Sequence, residues 1–398
     1  MDGKILAVLA VAIIAIAGIA AFVLLNNNNS GDDSDEVRVS VISGDIHQIA
    51  VHVGIEKKYF EDRGIKVTIS NSTNGAGVAT SLMNGDANLG FLGAPPATIN
   101  MINNGYITSS SITNESKAYN LVARVNSEGS GFFVKKAVLD DPSAAVPARN
   151  GTAFYTVSDG AFLVGPENAA AWGGLVYATP GTTSIQHIQL LSIASQLGLK
   201  VAMYTVNTSV NADTIYYVSN LANYQAIVGD KSISAGVIWE PQYQRVIEES
   251  PDYVSLGLTN DFFPDHTCCV IASNVSYAKA NSASLEKFLS GYSDAVSFVV
   301  KALEDVDSDD YKWLVSFTKS KVPGLTDQEV KESLSNITYL YADGKDGNLS
   351  KLKSDIESLV AGLKDVGALT KDVSDPAAFA NLFVNDQYLK AAVSGNAS

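Results

Sequence analysis

The chain has 398 residues, 46% of them apolar, which is enough for one large or two medium domains with cores of their own. Its 27 basic and 42 acidic residues leave a net charge of −15, which argues against nucleic acid as a partner, because that binding depends on basic surface. The only cysteines, Cys268 and Cys269, are adjacent, so no long-range disulfide framework is possible and no lipid-bearing cysteine sits near the N-terminus.

Residues 5–25 are uninterrupted apolar or glycine, a run that crosses a bilayer core at helical rise. Lys4 precedes it, and Asp32, Asp33, Asp35 and Glu36 follow. The charge bias places the N-terminus in the cytoplasm and everything after residue 26 outside. The run reaches Leu25 and meets an Asn-rich stretch rather than a small-residue cleavage region, so an uncleaved single-pass anchor (1–25) is expected over a signal peptide. An acidic polar tether follows over 26–36. Asn-x-Ser/Thr sequons at Asn28, Asn71, Asn114, Asn150, Asn207, Asn274, Asn336 and Asn348 fit an exported body.

The body opens with a β-branched, alternating strand at 37–42. Apolar residues at helical spacing predict a helix over 47–64, stopped by Gly64, then a strand at 65–70. A short helix over 77–84 closes at Gly85, a strand follows at 87–93, and a helix at 95–104 carries Pro95 and Pro96 in its first turn. A fourth strand covers 119–125. Alternating strands and helices mean an α/β domain with a largely parallel sheet. Residues 135–173 have no sustained period and read as an inserted loop or hairpin. The rhythm resumes with strands at 174–180, 201–206 and 235–239, helices at 182–198 and 241–249, and a helix-to-loop segment at 224–230. An apolar strand at 268–273 leads into a helical C-terminal part from about 284 onward.

The body is thus expected to hold two α/β lobes: 37–134 with 268–398 as the first, and 135–267 as the second. Open parallel sheets bind ligands at the carboxyl ends of their strands, and in two lobes those edges can face one cleft. Four strand-to-helix junctions carry start signals: Thr73-Asn74-Gly75-Ala76, Gly93-Ala94-Pro95, Thr182-Thr183-Ser184 and Trp239-Glu240-Pro241. Unpaired N–H groups and the helix dipole at such starts can hold an anionic oxygen without a lysine. The turn at 73–77 lacks the Gly-Lys-Ser/Thr of a phosphate loop and the G-x-G-x-x-G of a dinucleotide site, which sets nucleotides aside. His47, His52, His187 and His266 lack metal-ligand spacing, and no carboxylate cluster joins them. His47, His187 and His266 remain candidates for hydrogen bonding to an oxyanion, beside the alternative that each is structural. Cys268-Cys269 read first as small apolar residues of a buried strand, with a redox-active pair as the alternative. No Ser/His/Asp or Cys/His spacing points to nucleophilic catalysis. Trp239 is the one aromatic placed at a junction, and so is expected to line the cleft.

The blocks "GIEKKYFEDRGIKVTI", "GVATSLMNGDANLGFLGAPPA", "GTTSIQHIQLLSIASQLGL", "AGVIWEP" and "CCVIASNVSYAKANSASLEKFLSGYSDA", in this order, resemble the nitrate/sulfonate/taurine family of ABC-transporter substrate-binding proteins. The resemblance covers roughly residues 38–300. It implies a two-lobed, periplasmic-binding-protein-like fold (type II). It implies capture of a small anionic solute (a sulfonate, a taurine-like compound, nitrate or bicarbonate) outside the cell, and delivery to an ABC permease driven by its ATPase. No cofactor, metal or enzymatic activity is implied, and a monomer is expected by analogy. Carried onto this chain, the binding positions are Ser43, Gly44, Asp45, His47 and Gln48; Thr73, Asn74, Gly75 and Ala76; Gly93, Ala94 and Pro95; Thr182, Thr183, Ser184 and His187; and Trp239 with Glu240. The chain departs from the family in its longer 135–175 segment, its long C-terminal helices and its anchor. A binding protein for a thiamine-pyrimidine precursor, which would need aromatic stacking, and a non-transport surface sensor are the alternative readings.

Overall fold

A computed structural model describes residues 36–340 and 348–395. The expected anchor over 5–25 and nearly all of the tether lie outside the described residues; among those described, no helix is long and apolar enough to cross a membrane.

The first lobe is organised by β1 Glu36–Ile42, β2 Lys66–Ser72, β3 Leu89–Gly93 and β4 Tyr119–Glu128. Between them lie helices α1 Ile49–Glu56, α2 Gly75–Asn84 and α3 Ala94–Asn104. The second lobe is built on β5 Ser130–Lys135, followed by the small antiparallel pairs β6 Ala148–Arg149 with β7 Thr152–Ala153 and β8 Thr156–Ser158 with β9 Ala161–Leu163. It continues through β10 Val176–Ala178, helix α4 Ile185–Leu197, β11 Lys200–Met203, β12 Thr214–Val218, β13 Ala235–Trp239, helix α5 Gln242–Glu249 and β14 Tyr253–Leu258. The chain then returns to the first lobe as β15 Thr267–Asn274, and helix α6 Ser282–Glu304, helix α7 Asp327–Ser335, β16 Ile337–Tyr339 and helix α8 Asn348–Asp365 complete that side. Helices Pro376–Phe383 and Gln387–Gly395 close the described chain.

Two six-stranded sheets result, with orders β16-β4-β15-β3-β1-β2 and β11-β12-β10-β13-β5-β14. Both are mixed rather than largely parallel. β1, β2 and β3 run parallel, but β15 is antiparallel to both β3 and β4 because it enters from the other lobe. The crossover strand β5 is likewise antiparallel to β13 and β14. The expected division after residue 134 moves to Gly129, since Ser130–Lys135 already pairs with β13 in the second sheet.

Each sheet is buried on both faces, as alternation in the strands requires. Val37, Val39 and Val41 of β1 pack with Phe288 and Tyr292 of α6, while Leu92 and Val270 face Met101 of α3 and Ile356 of α8. In the second lobe Phe132 packs with Trp172 and Leu190, and its neighbour Phe133 goes to the opposite core with Ile238 and Val246. The segment expected as one helix over 47–64 is a 3-10 turn at Ile46–Gln48, then α1, then a second 3-10 turn at Glu61–Arg63. Gly64 does end it, in the left-handed region.

The lobes are joined where β4 runs into β5 through Glu128 and Gly129, at φ 70 and 87, and where residues 263–266 lead into β15. Arg124 on β4, almost fully buried, pairs with Asp265 at 3.1 Å and ties the second crossing to the first.

Candidate ligand-binding site

A cavity of about 160 Å³ lies between the lobes at the carboxyl ends of β1, β3, β10 and β13. A cavity of this order admits a solute about the size of benzene. Residues from the first lobe that line it are Ile42, Asp45, His47, Asn74, Gly75, Ala76, Gly93, Pro96, Cys268 and Cys269. The second lobe supplies Pro180, Gly181, Thr182, Thr183, Ser184, Ile185, Gln186, Asn220 and Trp239.

Asp45 caps the 3-10 turn that follows β1. Its Oδ1 accepts from the His47 backbone N–H at 2.9 Å and from His47 Nδ1 at 2.5 Å, and its Oδ2 accepts from Gln48 Nε2 at 3.1 Å. His47 is 1% exposed. Its burial lowers the imidazole pKa, but the charge and hydrogen bond of Asp45 outweigh that and raise it to about 9. His47 is therefore an imidazolium at neutral pH, with Nδ1–H bound to Asp45. Its Nε2 has no hydrogen-bond partner among the described residues and lies against Gly129: a Cβ there would sit 2.1 Å from Nε2. Glycine is required at this crossing both by its φ of 87 and by that approach.

Two helix starts face the cavity from opposite lobes. In α2 the cap Asn74 accepts from Gly77 N–H at 3.0 Å, which leaves the Gly75 and Ala76 N–H groups without intrahelical acceptors. In α4 the cap Ser184 accepts from His187 N–H at 3.2 Å, leaving those of Ile185 and Gln186. All four residues line the cavity. The start of α3 works differently. Gly93 makes no side-chain cap, and Pro95 and Pro96 carry no N–H, so this end offers a pyrrolidine surface in place of two of its donors. Gly75 accommodates it: a Cβ there would meet Pro96 Cγ at 2.8 Å.

The structure does not bring every expected residue to the cavity. Ser43 and Thr73 are exposed and do not line it, and neither does Gly44, which holds the left-handed region. Gln48 is a brace, accepting from Ile42 N–H at 2.9 Å and donating to Phe91 O at 3.3 Å. Pro95 is buried within α3, and Ala94 lines a neighbouring cavity. His187 packs against Tyr217 and meets Thr179 Oγ1 at 3.3 Å, and burial lowers its pKa to about 4, so it is a neutral core residue. Glu240 lies behind Trp239. Burial raises its carboxyl to about 7, against hydrogen bonds from Asn336 Nδ2, Gln244 N–H and Ser333 Oγ at 2.8, 3.2 and 3.1 Å. Ser333 belongs to α7 and Asn336 follows it, so Glu240 bonds across the two lobes.

The cysteines are the main residues missed. Alternation would send Cys268 and Cys269 to opposite faces, but β15 breaks register with β4 on both sides of Cys269 and leaves Cys268 unpaired. Both residues line the cavity, and their sulfurs lie 3.9 Å apart. The hydrogen bond from Cys269 lowers the Cys268 thiol pKa, with His47 acting in the same direction, and the Cys269 thiol is pushed up.

A family model described as NMT1-like matches residues 32–306, well over half of the chain. The chain belongs to the NMT1-like family. This includes both walls of the cavity, and stops before α7 and α8. No curated protein matches the sequence. Among solved structures, the periplasmic nitrate-binding protein NrtA from Synechocystis PCC 6803 superposes with a TM-score of 0.64 at 12% identity, over 91% of this chain and 89% of that one. The ligand-binding component of an ABC-type import system from Staphylococcus aureus, solved with zinc bound, gives 0.61 at 13% identity, over 90% and 99%. The periplasmic aliphatic sulphonate-binding protein SsuA from Escherichia coli gives 0.58 at 16% identity, over 88% and 92%. The fold of this NMT1-like chain is thus the two-lobed α/β fold of periplasmic binding proteins.

Proposed function

We propose that the protein is the extracytoplasmic solute-binding component of an ABC importer and that it captures a small organic or inorganic anion between its lobes. The observation that carries this reading is the pair of helix starts, Gly75-Ala76 and Ile185-Gln186, presenting unpaired N–H groups from opposite lobes to one cavity floored by the His47 imidazolium. Sulfonates, nitrate, bicarbonate and carboxylates all suit such donors. Binding, not catalysis, is the role: the family resemblance and the two-lobed fold support it. Closure of the lobes over the anion signals occupancy to the permease. Residues 5–25 hold the body at the outer face of the membrane, a reading that rests on their apolar length and flanking charges.

The test is calorimetry of the full chain in detergent against methanesulfonate, nitrate, bicarbonate, acetate and an aminopyrimidine. Saturable one-to-one binding of an anion is expected, weakened about tenfold or more in His47→Gln. Binding of the pyrimidine alone, or of none of the anions, would overturn the reading.

A further inference from the structure

Six of the eight Asn-x-Ser/Thr sequons fall on residues whose surroundings the structure describes, and the fold sorts them into two kinds. Asn274 is 6% exposed, and its side-chain amide is fully spent. Its Nδ2 donates to the Leu82 and Ser116 carbonyls at 3.3 and 3.1 Å, and its Oδ1 accepts from Tyr277 N–H at 3.1 Å. Asn336 is half-buried, and its Nδ2 donates to Glu240 across the lobes at 2.8 Å. A sugar on Asn274 Nδ2 would replace a hydrogen already bonded inside the fold, and a sugar on Asn336 Nδ2 would have to share that amide with the contact between lobes.

Asn71, Asn114, Asn150 and Asn207 are exposed instead. Asn71 lies on β2, the edge strand of the first sheet. Asn114 lies between α3 and β4; only its carbonyl is used, accepting from Ser116 Oγ of the same sequon at 2.9 Å. Asn150 and Gly151 make the turn between β6 and β7, at φ 56 and 74. Asn207 follows β11, the edge strand of the second sheet, in a turn closed by Thr208 N–H on the Thr205 carbonyl at 2.9 Å. None of the four lines the central cavity.

The loop around Asn207 has a second property. Val206 is 93% exposed, and Met203 and Val210 are exposed with it. Three of the seven large hydrophobic residues exposed among the described residues thus lie within four positions of Asn207. Single exposed apolar side chains are ordinary, but a group of them on one loop beside an open strand edge invites association unless something covers it. A sugar chain rooted in the middle of this loop would stand over it, with the C–H faces of its rings against the side chains and its hydroxyl groups in water.

We propose that Asn71, Asn114, Asn150 and Asn207 carry N-linked oligosaccharides while Asn274 and Asn336 stay bare, and that the oligosaccharide on Asn207 covers the apolar loop at the open edge of the second sheet. The donor is an oligosaccharide linked to a polyprenyl phosphate. The Asn Nδ2 bonds to the sugar C1 as the bond from C1 to the phosphate oxygen breaks; the amide gives up one proton to solvent, the lipid phosphate leaves, and nothing is oxidised or reduced. The proposal rests on the reading that the body lies outside the membrane, and is independent of which solute it binds.

The test uses the full chain isolated from the membranes of its own cells, with glycopeptide mass spectrometry at each sequon. A membrane-impermeant amine reagent, applied to the intact cells beforehand, reports which side the body is on. Oligosaccharide mass is expected on the peptides of Asn71, Asn114, Asn150 and Asn207, and none on those of Asn274 and Asn336. Asn207→Gln and Ser209→Ala break the same sequon at different atoms. Each should lose the modification at that site alone and bind about twofold more of a hydrophobic dye. A chain that the reagent reaches but that is bare at Asn207, or modified at Asn274 or Asn336, overturns the proposal and leaves the outer-face reading standing. Dye binding unchanged in both variants overturns the covering role. A body that the reagent reaches only after the cells are broken overturns the outer-face reading and the proposal with it.

Discussion

The wall that the first lobe gives to the central cavity and the wall that the second lobe gives are built on different terms. On the first, Asp45 and His47 are 8% and 1% exposed and locked to each other, and the Asn74 side chain is engaged in capping. On the second, Thr182 and Asn220 are exposed, and Asn220 holds a φ of 65, which few side chains adopt. The polar groups of the first wall are held by one another, while Thr182 and Asn220 of the second face water. Under the proposed function, specificity for charge would belong to the first wall and response to occupancy to the second.

The largest effect that would sharpen this contrast is expected at the joint beneath the first wall. Gly129→Ala forces a Cβ into His47 Nε2 at 2.1 Å and Ile337 Cγ1 at 2.7 Å, at a φ of 87. A loss of about 3 kcal/mol or more in urea unfolding is expected, together with anion affinity. A variant of wild-type stability would show that the joint is not clamped to the site.

Next comes Asp45→Asn. With Asp45 in place the imidazolium persists to about pH 9, so anion affinity should stay level from pH 6 to 8 and fall above 9. Without it, burial is the dominant influence and lowers the His47 pKa below 6.5, so the fall moves to below about pH 6 and affinity at pH 7.5 drops about tenfold. The same shift bears on stability. His47's folded pKa is raised, so its contribution is complete below 6.5 and disappears as pH rises through 9. Thermal melting between pH 6.5 and 9 should therefore fall more in the wild type than in Asp45→Asn.

A smaller pair compares the walls directly. Asn74→Ala and Ser184→Ala each remove a helix cap, at about 1 kcal/mol of stability. If both walls hold the anion, each should also weaken binding several-fold in calorimetry; an effect confined to Asn74→Ala would leave the second wall as a passive cover. Smallest of all is Trp239→Ala, expected to change anion affinity less than about threefold. A tenfold loss would mean that ring stacking contributes, as a pyrimidine ligand requires.

Much of the first lobe was legible because β1 to β4 alternate cleanly with helices that end in glycine, as at Gly64, Gly85 and Gly105. β5, β12 and β14 were not. β5 follows β4 with Gly129 alone between them, so the change of sheet leaves no loop to read. The helix starts at Asn74 and Ser184 declared themselves through their caps, whereas Gly93-Ala94-Pro95 was grouped with them although Pro95 and Pro96, plain in the sequence, take away two of its donors. The cysteine pair escaped because a bulge, which has no sequence period, breaks the alternation that would separate the two residues, and both line the cavity. The sequons look alike in the sequence, and only the folded chain sets exposed Asn207 apart from buried Asn274.

The most direct measurement is backbone amide NMR of the full chain in detergent during titration with the tightest-binding anion of the panel. The amides of Gly75, Ala76, Ile185 and Gln186 should move together along one saturation curve, downfield as hydrogen bonds form to the anion. Saturable binding that leaves these four amides unmoved, or that moves those of one lobe only, would contradict capture between the two helix starts.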